Sequence, residues 1–221
     1  MKNLTVYLVR HGQTYYNRYN RMQGWADSPL TEQGIQDAEN TGNRLAQLKF
    51  ARAYCSDTGR ARNTARLILK ANDSSLITEP EETSYFREQF YGYFEGANSS
   101  ETWYMAGYPH GCKNFAEIIT NYSIDASKDF MKEADPFHDA ENSTEYWHRL
   151  LQGIAKIREE NQTDTNVLLV SHGTTIRSIV GKYGTNQFDL TKSPLNGSVT
   201  KLRLSDTDIA VDYYNRIEGQ L

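Results

Sequence analysis

Residues 6–17 read VYLVRHGQTYYN, and the change of polarity across them organises the rest of the chain. Val6, Tyr7, Leu8 and Val9 are β-branched, aromatic or aliphatic and carry no charge, the composition of a strand buried on both faces. Arg10, His11 and Gly12 follow at once. They put a fixed cation, a titratable nucleophile and a flexible backbone at the strand's carboxyl end, where open α/β sheets bind ligands. Those residue types in that order suit an imidazole that attacks phosphorus.

Working outward, Tyr15 to Asp27 is polar and aromatic, ends at the Ser28–Pro29 turn, and reads as a ligand-facing loop with a short helical start. Thr31 is a candidate N-cap for a helix whose apolar stripe is Ile35, Ala38, Gly42, Leu45 and Ala46. Phe50 to Cys55 predicts a second strand and Arg60 to Ala71 a helix, so Arg60 stands at a helix start just after a strand. Two glycines among aromatics make Phe86 to Gly96 an irregular loop. From Ala97 to Ser143 the periodicity is weak, which predicts a cap insertion of short helices and loops at about 97–143. Helical spacing returns at Tyr146 to Ile157. Asn166 to Val170 is a third buried strand, ending in Ser171, His172, Gly173 and Thr174 and followed by a helix that packs Ile176, Ile179 and Val180. Val199 to Leu204 and Ile209 to Tyr213 alternate like two strands at a sheet edge, joined by a Ser205–Asp208 turn. The alternation predicts a three-layer α/β/α sandwich with a mainly parallel sheet, in one domain spanning residues 1–221.

Composition narrows the classes of function. The net charge is −4, so no global attraction to nucleic acid or anionic membrane is expected and any anion site must be local. No apolar run approaches the ~20 residues of a membrane span and the start lacks a signal-peptide core, so a soluble, cytoplasmic protein is expected. Cys55 and Cys112 are too few for a disulfide framework and read as reduced thiols. His110, His138 and His148 have no ligand-like neighbour at metal spacing, so no metal or other cofactor is expected.

Three strand ends carry Arg10 with His11, Arg60, and His172, and right-handed crossovers bring such ends to one rim. Planar guanidinium groups match the equatorial oxygens of a phosphoryl group, and amides at the helix starts after His11 and near Gly173 would add donors. Neighbouring guanidiniums would keep His11 neutral before attack, and a backbone carbonyl on its other ring nitrogen would aim the lone pair. His172 would donate to a phosphoryl oxygen. A carboxyl from the Phe86–Gly96 loop would protonate the leaving group and later activate water.

The chain resembles the histidine phosphatase superfamily, also called phosphoglycerate mutase-like, in LVRHGQT at 8–14, QGWADSPLTEQG at 23–34, SDTGRARNTA at 56–65, FREQFYGYFEG at 86–96 and VLLVSHG at 167–173. Five ordered motifs from Leu4 to about Lys182 are far more specific than a lone RHG. The resemblance implies an α/β sandwich, no metal and a phosphohistidine intermediate. It implies His11 as nucleophile, Arg10, Arg60 and His172 as the phosphate-binding core, Glu88 as acid/base, and Asn17 and Gln23 at phosphate or substrate. Gly24, Gly173 and Arg21 complete the candidate binding set. Arg62 falls where the family varies. Phe86 stands for the usual Leu, a change expected to matter little, and Ala140-Glu141-Asn142 replaces a Gly-Glu-Ser element, leaving Glu141 without an assigned role.

Each residue has a plainer reading: His11 or His172 as a hydrogen-bonded core histidine, Arg60 as a partner of Asp57, Glu88 as a solvated loop carboxylate. Within the family, the chain reads as a phosphomonoesterase, a phosphoric monoester hydrolase of the histidine acid phosphatase type, for a small phosphorylated metabolite. Cofactor-dependent phosphoglycerate mutase is the alternative, and a non-catalytic phosphate-binding or interaction module is a third. Between Gln89 and Leu150 only Lys113, Lys128, Lys132 and Arg149 face ten Asp and Glu, poor in the cations a mutase needs. Tyr91, Tyr93, Phe94, Trp103, Tyr104, Met105 and Tyr108 suit an uncharged or aromatic leaving group. Arg18 and Arg21 speak for the mutase.

Overall fold

The alternation of apolar runs resolves into strands β1 (Asn3–Arg10), β2 (Phe50–Ser56), β3 (Glu81–Thr83), β4 (Thr165–Ser171), β5 (Val199–Ser205) and β6 (Ile209–Arg216) in a computed structural model that describes residues 3–185 and 187–219. They form one sheet in the order β3-β2-β4-β1-β5-β6. β1, β2, β3 and β4 run parallel, whereas β5 is antiparallel to both β1 and β6. The last two strands are therefore not both at the edge: β5 lies inside, against β1, and β6 takes the edge. β3 has no counterpart in the sequence reading. Its Glu-Glu-Thr carries no apolar alternation and joins the sheet through main-chain pairing with β2.

Side-chain alternation splits β1 between two cores. Leu4, Val6 and Leu8 face helices α7 (Ser143–Glu160) and α8 (Gly173–Tyr183). Tyr7 and Val9 face α2 (Glu32–Leu45) and α3 (Gly59–Lys70). The architecture is α/β, helices on both faces of a mixed six-stranded sheet. Local signals fix the helix starts: the Thr31 hydroxyl accepts from Gly34 N at 3.0 Å, and Asn142 with Glu145 forms a capping box at the head of α7. Cys55 and Cys112 are both buried free thiols.

After the four-residue α1 (Tyr15–Arg18), the weakly periodic region supplies α4 (Ser99–Gly107), α5 (Phe115–Asn121) and α6 (Ile124–Ala134), each N-capped by Asn98, Asn114 or Ser123. Their inner faces share a third core with Met22, Tyr91, Phe94 and Trp103. The pattern is weak because polar residues occupy inward positions. On α6, Ser127 and Lys128 sit between Ile124 and Met131, and the wholly buried Lys128 ammonium donates to Ile124 O and Asp125. Phe86 has its own accommodation: a Cβ on Gly153 of α7 would come within 2.8 Å of its ring. Among the described residues no helix is long and apolar enough to cross a membrane.

Candidate active site

β1 and β4 pair in register, Arg10 opposite Ser171, so both strands end at one level and deliver His11 and His172 side by side. The two rings lie 5.2 Å apart at 61°. Nδ1 of His11 is 2.8 Å from Gly12 O. A carbonyl only accepts, so Nδ1 carries the proton and Nε2 keeps its lone pair. The His11 pKa lies well below the ordinary imidazole value. Burial is the first cause and the Arg60 and Arg10 guanidiniums the next, which reverses the emphasis expected from charge alone. His172 is lowered for the same reason, burial first, and neither of its ring nitrogens has a partner.

The cations meet the rim differently. Arg10 donates through Nη1 to Pro194 O while its Nε is unpartnered, and Gly173 borders it. Burial and the neighbouring Arg177 bring the Arg10 pKa down to about 10, still cationic near neutrality. Arg60 is fully buried and pairs with Asp27 at 2.9 Å. Asp57, the partner considered from sequence, is instead held in a bidentate pair by Arg87 at 2.7 and 2.6 Å. The remaining Arg60 η bonds go to the carbonyls of Gln23, Gly24 and Ala26, leaving Nε without a partner.

The Glu88 carboxylate caps α8 from a distance. It accepts from Thr174 N at 2.7 Å, Thr175 N at 3.0 Å and the Thr175 hydroxyl at 3.1 Å, while His172, the N-cap residue, makes no capping bond. The amides expected to receive phosphate are thus already engaged. After His11 the same holds: Gly12 N, Gln13 N and Thr14 N donate to Thr64, Asp37 and Asn17 side chains. Glu141 acquires a place here. It grips Arg149 at 2.8 and 2.7 Å and accepts from Phe90 N, while Arg149 also donates to the carbonyls of Ser84, Tyr85, Arg87 and Glu88. Opposite, Glu95 collects Gly24 N, Trp25 N, Ala26 N and Tyr91 N at 2.8–3.1 Å, locking the first loop to the Glu88 loop.

A cavity of about 440 Å³ opens over this arrangement, within the usual range for small-molecule sites. Arg10, His11, Asn17, Arg21, Gln23, Glu88 and Gly173 line it. Arg60 and His172 are buried against the same cluster, whereas Gly24 stands behind as an anchor for Arg60: its carbonyl accepts from Nη2 at 2.7 Å, and a Cβ there would reach 2.1 Å from Gln89 O. Asn17 and Gln23 also brace the wall, accepting from Thr14 N and the Thr14 hydroxyl. Of the seven apolar residues expected at the mouth, Tyr91 and Trp103 line the cavity, joined by Met22 and Phe115. Phe94 is core, and Tyr93, Tyr104, Met105 and Tyr108 point to solvent. Sequence reasoning missed Asn196, which donates to His11 O at 2.8 Å, and Arg177. The signal for Arg177 was the one charge within residues 173–180, the wholly buried part of α8. Among the described residues no group of three or more His, Cys, Asp or Glu side chains is arranged to hold a metal ion.

Known proteins share this architecture. A 2,3-bisphosphoglycerate-dependent phosphoglycerate mutase 2 of Gloeobacter violaceus is 33% identical over 173 residues, 78% of this chain and 72% of that protein. The crystal structure of a phosphoglycerate mutase from Bacillus anthracis superposes with a TM-score of 0.90 at 35% identity, covering 98% of this chain and 94% of that one. A mycobacterial glucosyl-3-phosphoglycerate phosphatase, at 22% identity and a TM-score of 0.67 over 97% and 99% of the two chains, shares the fold. The model of the histidine phosphatase superfamily, branch 1, matches residues 6–217. The chain belongs to the histidine phosphatase superfamily.

Proposed function

We propose that the chain is a metal-independent phosphomonoesterase for a small phosphorylated metabolite, working through a phosphohistidine on His11. The observation that carries this reading is the locked, neutral His11 facing a cavity, with buried polar groups that lack partners close by: the N–H donors Arg10 Nε and Arg60 Nε and the His172 ring, whose neutral form offers one donor nitrogen. Buried donors without acceptors are costly, and an anion arriving among them recovers that cost. Nε2 attacks phosphorus, the N–P bond forms and the P–O ester bond breaks, while the cations and His172 stabilise the equatorial oxygens. Glu88 protonates the leaving alkoxide. The resulting carboxylate then takes a proton from water as its oxygen displaces the histidine, which releases inorganic phosphate and restores both groups.

The cap favours hydrolysis over mutase chemistry. Lys128, Lys132 and Arg149 are bound to Asp125, Glu145 and Glu141, and neither they nor Lys113 line the cavity. Phosphoglycerate mutase is the second reading, supported by the names of the relatives from Gloeobacter violaceus and Bacillus anthracis and by Arg21 at the mouth. Turnover of p-nitrophenyl phosphate in the presence of chelator, abolished by His11→Ala, is the expected result; a parent protein that hydrolyses no phosphoester refutes the reading. Rapid isomerisation of 3-phosphoglycerate that depends on the bisphosphorylated cofactor, with little phosphate release, would select the mutase.

A further inference from the structure

The His11 ring is oriented by its Nδ1–H bond to Gly12 O, so Nε2 is aimed no better than the Gly12 carbonyl is held. Gly12 has no side chain to restrict its backbone, and close packing excludes one, since a Cβ there would come within 2.1 Å of Gly34 O. Its backbone therefore has to be held by hydrogen bonds. The peptide unit joining His11 to Gly12 is pinned at both ends. Its N–H donates to the Thr64 hydroxyl at 3.0 Å, and its carbonyl, His11 O, accepts from Asn196 Nδ2 at 2.8 Å. Thr64 is fixed in turn by donating to Arg60 O at 2.8 Å. Rotating that peptide plane would break both bonds, changing ψ of His11 and φ of Gly12 and drawing the Gly12 carbonyl away from Nδ1.

Asn196 comes from 185 residues further along the chain, on a turn built against the end of β1. Arg10 brackets that turn: its N–H donates to Ser198 O at 3.1 Å, its carbonyl accepts from Gly197 N at 3.0 Å, and its Nη1 donates to Pro194 O. Ser198 N closes the turn on Leu195 O at 3.1 Å, and Leu195 N is tied to Asn215 Oδ1 at 2.7 Å. Gly197 suits the next position, with φ +69° and only 2.9 Å between a Cβ there and Asp37 O. On this mount the Asn196 NH2 group meets two acceptors, His11 O and, at 3.3 Å, Asn17 Oδ1. Asn17 Oδ1 also accepts from Thr14 N at 3.2 Å, so the end of the Asn17 amide left to donate is its NH2. One side-chain amide thus sets both the main chain of the nucleophile and the sense of a cavity-lining amide.

We propose that Asn196 is a positioning residue for the nucleophile: with Thr64 it holds the His11–Gly12 peptide plane, and through Gly12 O it keeps Nε2 of His11 aimed at phosphorus. This rests on the phosphohistidine reading for its effect on rate, but not for the hold on the ring. Asn196→Ala and Asn196→Asp are compared with the parent, well below their melting temperatures, by two measurements. One is steady-state kinetics on p-nitrophenyl phosphate. The other is the exchange with water of the His11 Nδ1 proton, followed by NMR of isotope-labelled histidine and assigned by its absence in His11→Asn. Asn196→Ala should lower kcat about tenfold or more while KM stays within about threefold, because a misaimed nucleophile loses rate rather than affinity. The Nδ1 proton should exchange faster in the same variant. Asn196→Asp keeps the shape but turns an ionised, acceptor-only group toward two acceptors, so its kcat should fall at least as far; it carries the test if the alanine variant does not fold. A parental kcat in either variant overturns the proposal. So does a raised KM with kcat intact, which would make Asn196 a substrate contact, and so does a lowered kcat with unchanged Nδ1 exchange. A parent inert on p-nitrophenyl phosphate would refute the hydrolase reading, while proton exchange in the variants would still decide whether Asn196 holds the ring.

Discussion

Replacing Arg149 by Met removes more than an ion pair. The guanidinium holds Glu141 through two short bonds and ties down the carbonyls of Ser84, Tyr85, Arg87 and Glu88, so it clamps the loop that presents Glu88, the proposed acid/base carboxylate. Both side chains are nearly buried, 13% and 12% exposed, and stripping one partner from a buried pair costs about 3–5 kcal/mol. The residual exposure places this pair at the lower end, ~3 kcal/mol. For a chain of this size that corresponds to a fall in Tm of ~6–12 °C. Because Glu88 loses two anchors of its loop, kcat on p-nitrophenyl phosphate should fall ~10-fold or more, a fraction of the 10²–10⁴ that general acid–base catalysis contributes. Glu141→Gln keeps one acceptor and should lose ~1–2 kcal/mol, and the double variant should show coupling of at least ~1 kcal/mol. Thermal melts and steady-state kinetics on the four proteins decide it. An Arg149→Met protein within about 2 °C in Tm and about twofold in kcat of the parent would show that the clamp is ornamental.

Three further outcomes follow from the geometry. His11 and His172 have folded pKa values well below the unfolded value, so the unfolded chain takes up protons first and stability falls as pH drops below about 6.5. The slope is roughly 1.4 kcal/mol per pH unit for each histidine, and His11→Asn should melt with a shallower pH dependence between about pH 5 and 7 than the parent. Gly153→Ala should destabilise by ~1–3 kcal/mol because its methyl meets both the Phe86 ring and Tyr85 Cβ, and a Phe86→Leu background should recover only part of that loss, read by urea unfolding. Glu95→Gln leaves part of a four-amide cluster unmet; a loss of ~1–3 kcal/mol with a lower kcat is expected, and an unchanged kcat would separate Glu95 from the positioning of Arg60.

Much of this is legible in the sequence, for identifiable reasons. Val6 to Val9 and Val167 to Val170 are buried on both faces, so continuous apolar runs marked them, and the polar residues that end them had to share a rim. The motif residues Arg10, His11, Asn17, Gln23, Glu88 and Gly173 do line one cavity. What stayed hidden depended on contacts distant in sequence. Arg60 pairs with Asp27, 33 residues away, and Arg87 takes the nearer Asp57. The tyrosine-rich stretch looked like a single aromatic wall because sequence does not say which side of α4 faces inward; Trp103 does, and Tyr104 and Met105 do not. Lys128 and Ser127 broke the periodicity of α6 although both are wholly buried, since polar groups satisfied by their own helix pass for surface in a hydropathy pattern.

The capping of α8 by Glu88 has a consequence for how such a site changes over time. Main-chain amides cannot be mutated away, and two of them hold the Glu88 carboxylate, so a replacement at position 174 or 175 keeps the amide that orients this proposed acid/base group. The groups around the proposed phosphoryl position are side chains, Arg10, Arg60 and His172, each replaceable singly. Descent within this architecture can therefore change the proposed anion-binding side chains one at a time while the main-chain support of Glu88 is kept.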